Sequence, residues 1–285
     1  MSRVDVRKTY KLYIGGAFPR SESGRSYPVT DSKERLLAHA AQASRKDLRD
    51  AVRSARGALA AWSGATAYNR GQVLYRVAEL LQGRREQFVA EVQAAEGLRV
   101  GPARQIVDAA IDRWVWYAGW TDKYAQIAGS TNPVAGPYFD FSLPEPTGVV
   151  GVVAPQESSL LGLVSVLAPP IACGNTVVLL TSQSRPLPAI SLAEVLATSD
   201  VPGGVVNILT GRTAELAPWL AGHRDVNALD LTGVTGALRT ELSRSAADTV
   251  KRVHLPREDD WAAEPGIDRL AAFVETKTVW HPIGV

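Results

Sequence analysis

The chain offers few residues of the types that carry out catalysis. Its one cysteine is Cys173, and its four histidines are far apart in the sequence: His39, His223, His254 and His281. A thiol becomes a nucleophile when an adjacent base or a positive field lowers its pKa, and no histidine clusters with this cysteine. One cysteine with scattered histidines also lacks metal-ligand spacing. We therefore predict that Cys173 is a buried structural thiol, with no catalytic residue and no metal site.

Two neighbouring carboxylates, Glu258 and Asp259, are the other candidates for acid–base chemistry. They follow Pro256 and Arg257, and a charged run that begins with proline is typical of a solvated linker. We therefore assign no general base to them.

The elements that would position a site are clearest in residues 144–183. Residues 148–154 form a short apolar run bounded by proline, which predicts a strand buried on both faces of a parallel sheet. Apolar residues at helical spacing then predict a helix that Pro169 and Pro170 kink or end. Residues 176–180 predict the next strand. A strand–helix–strand unit of this kind binds nucleotides at the carboxyl ends of its strands.

Helices are predicted before this unit. Ser44 indicates a helix start, and apolar residues follow on one face as far as Trp62. A longer helix opens at Pro102 and places Trp114 and Tyr117 on one stripe. An aromatic stripe at helical spacing is typical of a core, so we do not interpret it as a ligand-stacking surface.

Two stretches predict hairpins. Residues 11–18 form an alternating apolar run broken by two glycines. In residues 126–143 the pattern is extended, and Phe139, Phe141 and Leu143 alternate with polar residues after a Gly-Pro turn. An aromatic hairpin without a core of its own is marginal in isolation, which predicts that it needs a partner sheet.

These motifs resemble those of the aldehyde dehydrogenase family. That family carries a pattern close to P-x-G-V-x-G-x-I-x-P-W-N-x-P and then G-N-x-V-V-x-K-P, and residues 146–181 match its frame. Residues 202–211 are similar to its P-x-G-V-x-N-x-x-T-G. The resemblance implies a Rossmann-like sheet for a dinucleotide, with residues 126–143 as a hairpin that binds a neighbouring subunit.

The chain departs from the family pattern where the resemblance places catalysis. Gln156 and Glu157 stand where the family has Trp and Asn. The Asn side chain donates to the oxyanion, whereas a carboxylate would repel that charge. Pro256 stands at the place of the general base. The resemblance therefore implies a site without nucleophile, base or oxyanion donor.

The chain also departs from the family pattern in the cofactor groove. Leu180 replaces a ribose-binding lysine, Gln183 replaces the glutamate that assists it, and Val234 replaces a phosphate-binding serine. The resemblance leaves only vestigial groove positions: Ala154, Pro155, Leu180, Gln183, Gly211, Gly233 and Val234. We expect no cofactor, with weak binding of NAD or NADP left open.

Residues 267–283 resemble the carboxyl-terminal strand of the family, of the type E-x-K-T-V-W, which completes its oligomerisation sheet. They begin shortly after Pro256, so the resemblance implies an internal deletion of the domain that bears the nucleophile. It also implies a partner interface at Phe139, Phe141, Leu143, Thr276, Thr278, Val279 and Trp280.

Composition narrows the possible partners. With 285 residues, 46% of them apolar, the chain can bury a sizeable core. A formal net charge of +2 gives no strong field for nucleic acid or an anionic membrane surface. One cysteine excludes an intrachain disulfide, and the sequence shows no opening signal segment or long apolar span. We expect a cytoplasmic protein with no nucleic-acid or membrane partner.

We predict an α/β fold: a Rossmann-like doubly wound parallel sheet with a helical N-terminal layer and a small antiparallel oligomerisation sheet. The predicted parts are an N-terminal hairpin and helical layer (1–125), a protruding hairpin (126–143), a Rossmann-like core (144–255), a linker in place of the catalytic domain (256–266) and a terminal strand (267–285).

Three functional classes follow. The first is a noncatalytic subunit, a pseudoenzyme, that assembles with a full-length aldehyde dehydrogenase and stabilises or regulates it. The second is a dinucleotide-binding or sensing module without turnover, and the third is an active oxidoreductase of altered mechanism. We favour the first because the groups that the family uses for catalysis are absent. Titration with NAD and NADP separates the first two classes.

Overall fold

The computed structural model describes residues 4, 7–256 and 260–284. The chain begins with a small three-stranded sheet, in the order β1-β3-β2, and a layer of helices. The strands are β1 (Thr9–Tyr10), β2 (Ser26–Thr30) and β3 (Leu36–Ala41). The helices are α1 (Arg45–Gly64), α2 (Ala67–Gly83), α3 (Arg85–Glu96), α4 (Val100–Trp120) and α5 (Tyr124–Ala128).

Helix α1 begins where the sequence predicts. The Ser44 hydroxyl accepts from the N–H groups of Lys46 and Asp47, and the Asp47 carboxylate accepts from the Ser44 N–H at 2.8 Å. This reciprocal pair satisfies N–H groups that a helix start leaves unpaired. In α4, Trp114 and Tyr117 are buried. The aromatic stripe is therefore core, as predicted.

A hairpin of β4 (Ser130–Asn132) and β5 (Tyr138–Pro146) follows the helices. The prediction that the chain is extended from residue 126 is wrong for residues 126–128, which belong to α5. The helical turn persists because Tyr124 is buried and anchors it, and because the Gly129 N–H donates to the Ala125 carbonyl at 2.9 Å.

The central sheet contains five parallel strands in the order β10-β9-β6-β7-β8. Its strands are β6 (Val149–Val153), β7 (Thr176–Leu180), β8 (Val206–Leu209), β9 (Ala228–Asp230) and β10 (Arg252–His254). Its helices are α6 (Leu161–Ala172), α7 (Leu187–Ala197), α8 (Thr213–Gly222) and α9 (Gly236–Ala247). Pro169 and Pro170 lie within the last turn of α6, which ends just before Cys173.

The sheet is buried on both faces. Val150 and Val152 of β6 pack into an apolar cluster with α2, α3, α4, α6 and α7. Val149 and Val153 of the same strand pack into a second cluster with α1, α8 and α9, which we call the α8–α9 cluster. Alternate side chains of a strand point to opposite faces, so helices cover the sheet on both sides. This arrangement confirms the predicted doubly wound fold.

The chain closes with α10 (Asp268–Ala271) and β11 (Val274–Pro282). Strand β11 pairs antiparallel with β5 along its whole length, which gives a sheet in the order β11-β5-β4. The buried Asn175 amide donates to the carbonyls of Pro170 and Phe273 at 3.0 and 2.9 Å, and so ties the start of β11 to the core. The predicted small antiparallel sheet is confirmed.

Candidate functional site

Four neighbouring parallel strands of the central sheet end at one edge, and the predicted groove positions lie there. These positions end or follow the strands: Ala154 and Pro155 after β6, Leu180 and Gln183 at and after β7, Gly211 after β8, and Gly233 and Val234 after β9. From β6 the chain adds β7 and β8 on one side of the sheet and then β9 and β10 on the other side. The direction in which strands are added therefore reverses at β6. Folds of this class bind ligands at the carboxyl edge near such a reversal.

Gly233 makes a very close backbone approach at this edge. Its N–H donates to the Val153 carbonyl at 2.9 Å. A Cβ atom on this glycine would lie 1.9 Å from the Ala154 carbonyl oxygen, which leaves no room for any other residue type. The glycine therefore holds the loop after β9 against the end of β6.

Gln156 joins the ends of β6 and β7. Its Nε2 donates to the Ala154 carbonyl at 2.8 Å, and its Oε1 accepts from the Gln183 N–H at 3.0 Å. The Ser182 hydroxyl donates to the Gln156 carbonyl at 2.8 Å. Side chains of this chain thus form hydrogen bonds with the backbone N–H and carbonyl groups at this edge.

Glu157 carries its charge at the mouth of the groove. Its Oε2 lies 3.0 Å from Arg185 Nη2, the Arg185 guanidinium also donates to the Glu157 carbonyl, and the Glu157 side chain is 87% exposed. A carboxylate has no proton to donate at neutral pH, so this residue cannot act as an oxyanion donor.

Leu180 and Val234 pack into the core instead of lining the groove. Their exposed fractions are 2% and 5%, and both belong to the α8–α9 cluster. A dinucleotide presents ribose hydroxyls and phosphate oxygens that need polar partners. Leu180 and Val234 have none to offer, and Gln156 is committed to internal bonds. The groove residues therefore do not fit a dinucleotide, although the close backbone approach at Gly233 is retained.

Cys173 lies at the opposite edge of the sheet. It follows α6 and precedes β7, so it is near the amino end of that strand, and its Sγ is 3.7 Å from the Leu270 carbonyl oxygen. Burial raises the pKa of the Cys173 thiol to about 12, although Arg70 acts in the opposite direction. A protonated thiol away from the groove is a poor nucleophile.

The other candidate groups are dispersed. The histidines lie in or beside four elements: His39 in β3, His223 after α8, His254 in β10 and His281 in β11. Across residues 4, 7–256 and 260–284, no group of three or more histidine, cysteine or acidic side chains is placed to hold a metal ion. The carboxylates Glu258 and Asp259 lie outside the described residues.

Arg113 is a buried charged residue that sequence reasoning missed. It is 7% exposed and donates to Ser165 Oγ at 2.8 Å and to the carbonyls of Trp261 and Ala263 at 3.0 and 2.9 Å. Burial lowers the pKa of its guanidinium because desolvation disfavours the charged form. The arginine ties residues 261–263, in the stretch predicted as a linker, to α4 and α6.

A second buried charged residue that was not predicted from the sequence lies at the end of β9. Asp230 is fully buried, accepts from the Thr232 N–H at 2.9 Å and lies 2.8 Å from Arg269 Nη1. Because Arg269 belongs to α10, this ion pair fixes the segment before β11 beside the carboxyl edge of the central sheet.

The predicted interface residues fall on two faces of the β11-β5-β4 sheet. Residues directly opposite each other in an antiparallel pair project from the same face. Val279 is opposite Phe141 and Lys277 is opposite Leu143. One face therefore carries Phe139, Phe141, Leu143 and Val279, whereas the other carries Thr276, Thr278 and Trp280.

The face with Phe139 carries accessible apolar side chains, and the strand register also places Glu145, Lys277 and His281 on it. Phe139 and Leu143 are 49% and 45% exposed, and the rings of Phe139 and Phe141 are 5.6 Å apart. We call Phe139, Phe141, Leu143 and Val279 the apolar sheet face. In the described part of the chain, β11 pairs only with β5, so its outer edge is unpaired.

The opposite face is more polar. Ser142 and Thr278 share a hydroxyl hydrogen bond at 2.8 Å, and Asn132 donates to Asp140 at 2.5 Å. Trp280 and Tyr138, whose rings are 5.7 Å apart, are exposed aromatic residues on this side. The predicted interface thus divides into an apolar face and a hydrogen-bonded face.

Comparison with known proteins identifies the family. Residues 18–257 match the model of the aldehyde dehydrogenase family. The chain is 35% identical over 259 residues to aldehyde dehydrogenase family 2 member B4, mitochondrial, of Arabidopsis thaliana, covering 88% of this chain and 47% of that protein. It is 30% identical over 261 residues to aldehyde dehydrogenase, cytosolic 1, of Elephantulus edwardii, covering 90% of this chain and 51% of the relative. The chain belongs to the aldehyde dehydrogenase family.

Solved structures agree with this assignment. The NAD+ complex of aldehyde dehydrogenase from Bacillus cereus superposes with a TM-score of 0.81 at 26% identity, over 86% of this chain and 50% of that one. HpcC from Thermus thermophilus gives a TM-score of 0.81 at 30% identity, over 86% and 47%. The chain spans about half the length of the curated relatives it matches. Within the described residues, no helix is long and apolar enough to cross a membrane.

Proposed function

We propose that this chain is a noncatalytic aldehyde dehydrogenase-like subunit, a pseudoenzyme, which assembles with a full-length aldehyde dehydrogenase and stabilises or regulates it. The observation that carries the proposal is the exposed apolar sheet face beside the unpaired outer edge of β11. An accessible strand edge with apolar side chains is a template for strand addition from another chain.

The chemistry of the groove supports a noncatalytic role. An aldehyde near the ends of β6 and β7 would meet Glu157, a carboxylate paired with Arg185, where the family has an amide that donates to the oxyanion. The thiol of Cys173 lies at the other edge of the sheet with a pKa of about 12. These residues therefore supply neither a thiolate nor an oxyanion donor at the groove.

The two ends of the β11-β5 pair differ, and this difference indicates where a partner binds. Near the core, Lys277 pairs with Glu145 and Arg252 pairs with Glu275, both at 2.8 Å. At the far end most of the exposed residues are aromatic or aliphatic, namely Tyr138, Phe139, Trp280 and Ile283, and the exposed His281 lies opposite Phe139. Burial of such side chains drives protein association, so we place the contact at the far end.

The family resemblance suggests why the partner is a longer relative. In the family, the hairpin and terminal strand of one subunit extend onto the catalytic domain of its neighbour. In this chain, β10 and β11 are separated only by residues 255–273, which include the short α10. Such a chain has the strands that bind a neighbouring subunit but lacks the catalytic-domain surface on which those strands pack. A full-length subunit supplies that surface. The single cysteine suits a reducing compartment such as the cytoplasm.

Deletion of residues 275–285 tests the proposal. We expect the shortened chain to lose co-purification with the full-length aldehyde dehydrogenase while the central parallel sheet stays folded by circular dichroism. Binding of the shortened chain with unchanged affinity contradicts the proposal. So does a stable homodimer of the intact chain through the same strands.

A second candidate is a dinucleotide-binding or sensing module without turnover. The retained approach of Gly233 to Ala154 and the NAD+ complex among the structural neighbours favour it. Calorimetric titration of the full chain with NAD and NADP separates the two. Millimolar or absent binding supports the noncatalytic subunit, whereas micromolar binding supports the sensor.

A further inference from the structure

An open cavity of about 830 Å³ lies between the start of α1 and the end of α8. Its lining includes Arg45, Lys46, Arg49, Trp219, His223 and Arg224. This cavity, which we call the α1–α8 cavity, uses none of the seven groove positions and none of the sheet residues proposed to bind a partner. Its volume is in the range of small-molecule sites.

The α1–α8 cavity is strongly positive. Four lysine or arginine residues line it, against a single carboxylate, Glu22. Lys46 Nζ lies 3.6 Å from Glu22, and Arg49 pairs with Asp50 at 3.3 Å. Arg45 and Arg224 have no ion pair with any residue that the structure describes. Their charges are therefore available to an anionic ligand.

Trp219 positions one of these cations. The guanidinium carbon of Arg45 lies 3.7 Å from the centre of the indole ring, and Trp219 remains 45% exposed. A guanidinium over the face of an aromatic ring can still donate from its N–H groups to oxyanions. The open part of the indole offers an apolar surface beside that charge.

The side chains, and not the start of α1, form this site. The N–H groups of Lys46 and Asp47 already donate to the Ser44 hydroxyl. The first turn therefore has less capacity for an anion than an uncapped helix has. The binding capacity lies in the cations distributed around the cavity.

We propose that the α1–α8 cavity binds a small ligand that carries a diphosphate group. Phosphate oxygens accept bidentate hydrogen bonds from arginine, and two linked phosphates match cations spread around a concave wall. The concave shape favours a small molecule over an acidic protein surface. This proposal is independent of the proposed function, because no residue of the groove or of the β11-β5-β4 sheet takes part.

Calorimetric titration of the full chain at low salt tests this inference with three probes: ADP, inorganic pyrophosphate and an oligoglutamate peptide. We expect micromolar affinity for ADP and pyrophosphate, which weakens as salt is raised. If ADP binds more tightly than pyrophosphate, the adenine ring contacts Trp219. If the two affinities are equal, the diphosphate group alone accounts for binding. Affinity for oligoglutamate only would overturn the proposal in favour of an acidic protein partner.

A charge-neutralising variant locates the site. We expect the Arg45→Gln/Arg224→Gln double variant to weaken ADP binding by about tenfold or more. The control Arg53→Gln removes the same charge from an exposed position of α1 outside the cavity and should change Kd by less than about twofold. Thermal unfolding checks that each variant is folded. Unchanged affinity in the double variant, or no binding of either phosphate probe below about 1 mM, refutes the inference.

Discussion

The side-chain Oε1 of Gln156 accepts a hydrogen bond from the backbone N–H of Gln183 at 3.0 Å. The bond joins the segments that follow β6 and β7, at the edge of the sheet where this fold class binds its ligands. The same amide donates to the Ala154 carbonyl. Side-chain and backbone groups at this edge of the sheet thus bond to one another within the chain.

Leu180→Lys is expected to destabilise the protein without restoring NAD binding. The lysine ammonium would replace a side chain that is 2% exposed in an apolar cluster, and burial of an unpaired charge costs about 3 kcal/mol or more in unfolding free energy. The control Leu180→Met should cost less than about 1.5 kcal/mol. Urea denaturation gives both values. A stable Leu180→Lys protein with gained NAD affinity would show that this position faces the groove.

Gly233→Ala is expected to lower the free energy of unfolding by roughly 2 to 4 kcal/mol. The added Cβ would lie 1.9 Å from the Ala154 carbonyl oxygen, so the loop after β9 must move away from β6. The matched control is Gly83→Ala at the end of α2, where a Cβ meets nothing within 4 Å. Thermal unfolding of both variants measures the difference. Equal stabilities would mean that the loop after β9 does not pack in this way.

The main sheet was predictable because its strands are continuous apolar runs ending in turn residues. Residues 148–154 and 176–180 could be assigned as buried strands, and Leu180 was placed correctly at a strand end. Its burial was not predicted, because the family resemblance described a polar residue facing a cofactor. The small sheet of β1, β2 and β3 escaped prediction because short strands, such as Thr9–Tyr10, carry too little alternation.

Side-chain links across the groove were harder to predict than the strands. Gln156 and Gln183 follow adjacent parallel strands, so their proximity was inferable, but their hydrogen bond depends on loop geometry. Asp230 carried a signal, since a carboxylate within a buried apolar run requires a partner. Arg113 carried none, because its acceptors, Ser165 Oγ and the carbonyls of residues 261 and 263, are all distant in the sequence.

Cys173 is expected to be unreactive in the native protein. Burial raises the pKa of this thiol to about 12, so the thiolate is a minor species at pH 8. Iodoacetamide should therefore label the native chain very slowly and the guanidinium-unfolded chain rapidly, as followed by mass spectrometry. Rapid native labelling, or aldehyde-dependent cofactor reduction that Cys173→Ala abolishes, would identify a functional thiolate.

The same pKa gives a stability prediction at alkaline pH. Because the folded-state pKa of the thiol is raised, its contribution to stability is present below the ordinary cysteine pKa near 8.5 and is lost as pH rises towards 12. Cys173→Ala should therefore lose less stability than the unmodified protein between about pH 9 and 11. Equal losses of stability in the two proteins would mean that burial does not raise the pKa of the Cys173 thiol.

Arg113→Met is expected to release residues 260–266 from the helical layer. The carbonyls of Trp261 and Ala263 lose their donors, at a cost of roughly 2 to 4 kcal/mol in unfolding free energy. Faster hydrogen exchange in this segment is the direct readout. The control Arg104→Met removes an exposed arginine and should cost less than about 0.5 kcal/mol. Unchanged exchange would mean that Arg113 does not hold the segment.

Assembly through the apolar sheet face is the central proposal for this chain. Native mass spectrometry of the chain co-expressed with the full-length aldehyde dehydrogenase of its own organism tests it directly. We predict a hetero-oligomer for the unmodified chain and for the control Tyr75→Asp, which alters an exposed aromatic residue of α2. Phe139→Asp/Val279→Asp should give separate species, because two carboxylates in an apolar contact prevent association. A hetero-oligomer that survives this double substitution unchanged, or the absence of any complex with the unmodified chain, would contradict the account.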